Sequence, residues 1–139
     1  MTDLDSATRD FFDGIFEEVL ASAPPSVCDL IETLPVVVED HPDESIQQEF
    51  GINANDLCGL HSGVPLTERS VEDSGVLPDV VYLYRLGIIS AANDKLTEEE
   101  KNSPRFIEAV REEIRITLLH ELGHHFGLSE SDLDRLGYG

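Results

Sequence analysis

The stretch SPRFIEAVREEIRITLLHELGHHFGLSE, residues 103–130, carries the reading of the fold. Ser103 is a good helix N-cap, and Pro104 suits the first helical position, where a missing N–H costs nothing. From there Phe106, Ile107, Val110, Ile114, Thr117 and Leu118 recur at helical spacing and define one buried face. Gly127 ends this helix, because glycine accepts the left-handed conformation that other residues resist. Ser129 and Asp132 then form a capping box for a last helix running to about Leu136.

Working upstream, Thr97 and Glu100 make a second capping box, which predicts a short helix. Val80-Val81-Tyr82-Leu83-Tyr84-Arg85-Leu86 is the best strand in the chain. Its apolar character suits a central strand at least as well as an edge; at an edge, an extended peptide could pair with it. Residues 51–79 hold four glycines and two prolines and predict a long, mostly irregular stretch. Leu34-Pro35-Val36-Val37-Val38 is a β-branched run too short for a helix, so a buried strand is expected, ended by His41-Pro42-Asp43-Glu44. Phe11, Phe12, Ile15, Phe16, Val19 and Leu20 predict an amphipathic helix from Ser6 to Leu20, closed by Pro24-Pro25. A shorter helix follows from about Ser26 to Thr33, with Val27, Leu30 and Ile31 inward.

The chain is 139 residues long, with 40% hydrophobic and 27% charged residues, which fits a single domain over residues 1–139. No apolar run approaches the ~18–20 residues of a membrane span. Asp and Glu number 29 against 9 Lys and Arg, a formal charge of -20. Such a surface repels phosphate backbones and anionic lipid, so neither nucleic acid nor membrane is an expected partner. The opening Met1-Thr2-Asp3-Leu4-Asp5 is acidic where a secretory signal would be basic and then apolar. A cytoplasmic location, with Cys28 and Cys58 both reduced, is therefore expected.

The chemistry lies at the end of the long helix, where His120-Glu121-Leu122-Gly123-His124 is an H-E-x-x-H motif. Residues four apart on a helix are offset by about 40° and one turn, so both imidazoles can reach one tetrahedral zinc ion. Glu121 lies about 100° around the axis, where it can take a proton from water at the open coordination position. His125 is also about 100° from His124, too far to share that ion, and is read as packing or support. A catalytic zinc needs a third protein ligand. A glutamate from a second helix, about 20 or more residues on, has little room, since 15 residues follow His124. The pattern H-E-x-x-H-x-x-G-x-x-H is kept through Gly127, and its last position is Glu130, a residue able to ligate zinc. Asp132, Asp134, and His61 or His41 from upstream are the alternatives. The only methionine is Met1, so the methionine turn of the metzincins is missing.

These residues resemble the small bacterial zincin-like metallopeptidases, or minimal zincins, over about Val36 to Tyr138. The resemblance is carried by Val36-Val37-Val38-Glu39-Asp40, by the segment Gly63 to Ser70, by Leu77-Pro78-Asp79 leading into Val80–Arg85, and above all by His120 to Glu130. Where the family pattern often has Asp, this chain has Glu130, which keeps the charge but lengthens the side chain. The resemblance implies an α+β fold, with a small mixed sheet packed on the motif-bearing helix. From the residues, the expected function is zinc-dependent hydrolysis of a peptide or protein substrate. Glu121 would be the general base, with His120, His124 and Glu130 as metal ligands. Tyr82, Tyr84 and Tyr138 are candidates to stabilise the oxyanion, although packing accounts for any one of them. The rival is a non-catalytic zinc-binding protein, whose closed site would need a further ligand such as Cys58 or His61; retention of Glu121 speaks against it.

Overall fold

The computed structural model describes residues 4–23, 25–62, 79–125 and 131. Helix α1 spans Ser6–Ala21; the Asp5 carboxylate accepts a hydrogen bond from the Thr8 N–H at 2.8 Å, and Phe12, Ile15 and Val19 form the buried stripe. Helix α2, Pro25–Thr33, begins on the second proline. Strand β1 is Val36–Glu39, and helix α3 spans Glu44–Phe50. Strands β2 and β3 are Gly59–Ser62 and Val80–Tyr84. Helix α4 is Arg85–Asp94, a 3-10 turn covers Glu100–Asn102, and helix α5 is Pro104–His125.

The three strands form one mixed sheet in the order β1-β3-β2. β1 runs parallel to β3, pairing Val36 with Val81 and Glu39 with Tyr84. β2 runs antiparallel to it, pairing Gly59 with Leu83 and Ser62 with Val80. β3 is therefore central, which agrees with its buried Val81, Leu83 and Tyr84 and removes it as a pairing edge for a peptide. The core joins α1, β3, α4 and α5 through Phe12, Val81, Leu83, Ile88, Val110, Ile114 and Leu118. The architecture is thus α+β, a small mixed sheet against a long helix.

Several local expectations change. Among the described residues, the Leu34–Val38 run forms an edge strand rather than a buried one: pairing begins at Val36, and Val37 is 37% exposed. The stretch 51–79 contains β2, whose Gly-Leu-His-Ser sequence has no strand signal of its own and is held by pairing to β3. Helix α3 is also new; Gly51, at φ 64, closes it in the left-handed conformation.

The strand expected to reach Leu86 stops at Tyr84, where α4 starts with no loop between. Tertiary groups impose that switch. The Arg85 guanidinium bonds Asp13 and Asp40 at 3.0 Å each, and the Leu86 N–H donates to the Asp40 carbonyl at 2.9 Å. Gly87 lets α4 press against residue 57, since a Cβ there would fall 2.1 Å from the Leu57 carbonyl oxygen. On α5, Val110, Ile114, Thr117 and Leu118 are buried as spaced, but Ile107 is 39% exposed. Phe106 takes the inward seat beside it and stacks on Phe11, ring centroids 5.6 Å apart.

Both capping motifs flanking this region are realised. The Glu100 N–H donates to the Thr97 hydroxyl at 3.2 Å, and the Thr97 N–H donates to the Glu100 carboxylate at 3.0 Å. The turn they cap is 3-10 rather than α. Ser103 accepts from the Arg105 N–H at 3.2 Å, with Pro104 opening α5 as expected. Cys28 and Cys58 are free thiols. Among the described residues, no helix is long and apolar enough to cross a membrane. Pro24, Gly63 to Ser70, Leu77-Pro78, Gly127, Glu130, the Ser129 and Asp132 of the expected capping box, Asp134, Leu136 and Tyr138 lie outside the described residues. So does the side chain of Leu30.

Candidate metal centre

Helix α5 is amphipathic up to Leu118 and keeps its register through the next two turns, so the motif inherits a fixed orientation. His120 and His124 stand one turn apart on the same face. Their Nε2 atoms are 3.0 Å apart, and their rings meet edge to face at 75° with centroids 4.7 Å apart. Two ligands each ~2.0–2.1 Å from a tetrahedral ion lie roughly 3.3 Å from one another. The imidazole pair therefore matches the donor type and the separation that zinc requires.

Glu121 turns inward beside them. It is 8% exposed, and a ligand atom from each of His120, Glu121 and His124 falls within 4.8 Å of the other two. Its seat depends on β2: a Cβ on Gly59 would lie 2.7 Å from the Thr117 methyl and 3.2 Å from Glu121 Cγ. Only glycine lets the strand come this close to the motif. A cleft opens along the same side, lined by Cys58, Gly59, Glu113, Thr117, His120 and Glu121. The Cys58 thiol is pushed up to about 11, by burial first and then by the Glu113 and Glu121 charges. Cys58 belongs to neither group of metal-ligating atoms found among the described residues. Glu113 is itself ion-paired with Lys95.

The tyrosines on β3 share one face and stack, centroids 6.2 Å apart. Tyr84 is fully buried, and burial pushes its hydroxyl well above the usual phenol range, with the Glu39 charge adding to the effect. Tyr84 is thus a packing residue with a neutral hydroxyl. Tyr82 is half-buried.

Other candidates are dispersed. His41 Nδ1 sits 2.9 Å from the Pro42 carbonyl, and His41 belongs to neither group of metal-ligating atoms found among the described residues. His125 points away from the His120–His124 pair, as its helical position requires. It joins a second group of potential ligands, His61, Asp79 and His125. The structure therefore puts His61 there and not beside His120. Asp79 drew no attention in the sequence beyond its place ahead of a strand. Nothing in its spacing to His61 or His125 signals the cluster, because the three meet only through the sheet and α5.

No curated protein matches the chain. A family model does. It describes zincin-like metallopeptidases and covers residues 31–139, from the end of α2 through the sheet and the whole of α5. With its paired histidines and inward glutamate on a helix backed by a small mixed sheet, the chain belongs to the zincin-like metallopeptidase family.

Proposed function

We propose that this chain is a zinc-dependent hydrolase of peptide bonds, acting on peptide or protein substrates in the cytoplasm. The observation that carries the reading is Glu121: a carboxylate kept inside the fold, next to two histidines that face each other across 3.0 Å. A purely structural zinc site has no use for such a base. His120 and His124 would hold the metal, with Glu130 as third ligand by its place in the H-E-x-x-H-x-x-G-x-x-E spacing. When bound, zinc supplies a Lewis acid that polarises the scissile carbonyl and acidifies water. The Glu121 carboxylate accepts the proton of the attacking water and returns it to the departing amine nitrogen. Gly59 lets β2 come close to the Glu121 side chain, since a Cβ there would fall 3.2 Å from its Cγ.

The rival reading, metal binding without cleavage, is weakened because neither Cys58 nor His61 joins the group of His120, Glu121 and His124 among the described residues. Zinc content and cleavage of a peptide library, measured on wild type and Glu121→Gln, test the reading. Zinc in both with cleavage in wild type alone is the expected result. Zinc with no cleavage in either assigns the chain to the binding class. For the third ligand, Glu130→Ala lowers zinc affinity far more than Asp132→Ala; equal effects would reject Glu130.

A further inference from the structure

We propose that His61, Asp79 and His125 form a second site for a divalent transition-metal ion of the zinc class, distinct from the His120–His124 pair. The three donors come from three places: β2, the residue leading into β3, and the last residue of α5. One ligand atom from each lies within 4.8 Å of the other two. Two imidazoles and a carboxylate are a donor set that zinc accepts, leaving one position of a tetrahedral ion for water or a further donor.

Asp79 stands between the two histidines. Its carboxylate presents one oxygen to each histidine: Oδ2 is 2.9 Å from His125 Nδ1, and Oδ1 is 3.7 Å from His61 Nε2. The second distance is too long for a hydrogen bond and fits two atoms that share a centre. The His61 and Asp79 side chains are each 5% exposed and that of His125 13%, so the carboxylate has lost nearly all its water. A divalent cation bound there would offset the charge of a carboxylate so enclosed. The rings meet at 75° with centroids 5.6 Å apart, so both can turn an edge nitrogen toward one point. An ion there would tie β2 and the start of β3 to the turn of α5 that bears His124.

The inference stands apart from the catalytic reading, and metal stoichiometry separates the two. Purified protein is dialysed against zinc chloride, freed of excess ion and analysed for bound metal. Wild type is expected to hold about two equivalents, His61→Ala about one, and the double variant His120→Ala/His124→Ala about one. Adding His61→Ala to that double variant should remove the remaining ion, and the ion it removes should have raised the melting temperature of the double variant. One equivalent in wild type, or two retained in His61→Ala, would overturn the proposal. Should His61→Ala fail to fold, His125→Gln takes its place, and the wild-type stoichiometry still decides. Loss of metal only from the His120→Ala/His124→Ala variant would reject the second site while sparing the first.

Discussion

The end of α5 displays two groups of histidines whose origins differ. His120 and His124 meet because four residues make about one helical turn; no other part of the molecule is needed to bring them together. His61, Asp79 and His125 meet because β2 pairs with β3 in one register and the sheet lies against α5. The first group is written in local spacing, and the second is a product of the fold. Perturbing the two should therefore fail in different ways. A change in the first should remove chemistry and leave the structure in place, whereas a change in a group assembled from distant segments should cost stability.

Glu121→Gln is the largest expected effect. Removing the proposed proton acceptor should lower the hydrolysis rate by roughly 10²–10⁴-fold, with the melting temperature little changed and zinc retained. A large loss of stability instead would erase the contrast, since it would make Glu121 a fold determinant.

Asp40 provides the matching test on a group assembled at long range. Its carboxylate accepts hydrogen bonds from Arg9 and Arg85 and from the Leu4 N–H, linking α1, the end of β1 and the start of α4. The Arg9 hydrogen bond foremost, helped by Leu4 and Arg85 against the opposing effect of burial, holds its pKa down to about 2. Asp40→Asn should cost about 1.5–3 kcal/mol in denaturant unfolding, with the remaining activity per folded molecule unchanged. The sign of the pH effect follows from linkage. The folded protein binds this proton less readily than the unfolded chain, so the stabilisation is full above about pH 4 and is lost as pH falls toward 2. The same acid titration on Asp40→Asn should lose that portion of the pH dependence.

Gly59→Ala joins the two kinds of perturbation. The added methyl would collide with Thr117 and the Tyr82 carbonyl at 2.7 and 2.9 Å and crowd Glu121. Overpacking of this kind costs about 1–3 kcal/mol, and turnover should fall as well because the displaced neighbour is the proposed general base. Thermal melts and rates on the same sample measure both. The smallest effect concerns Cys58: with its thiol pushed up to about 11, alkylation at pH 7 should be far slower than for an ordinary exposed cysteine, as mass spectrometry would read.

The stretch that forms α5 could be read almost residue by residue, from the Ser103 cap and Pro104 to the buried Val110, Ile114 and Leu118. A capped amphipathic helix is specified by local energies and by one period. Ile107 escaped because Phe106 takes the inward seat through its stacking on Phe11, a contact that helical spacing alone does not specify. β2 escaped for a stronger reason: four residues with one glycine and one histidine carry no strand preference, and their partner in β3 begins 18 residues beyond Ser62. The start of α4 at Arg85 was equally hidden, since acidic groups on α1 and after β1 draw that side chain out of the strand line.

By itself, then, the sequence determined the helix that bears the motif, the pairing of His120 with His124, the position of Glu121 next to them and the strongly acidic surface. Each follows from short-range geometry or simple counting. The tertiary structure decided that β3 is central, that Glu121 is enclosed by Gly59 and Thr117, and that His61 and His125 face Asp79 instead of the His120–His124 pair. Those outcomes depend on sheet register and on how closely β2 can approach α5, and neither is encoded within a single turn of the chain.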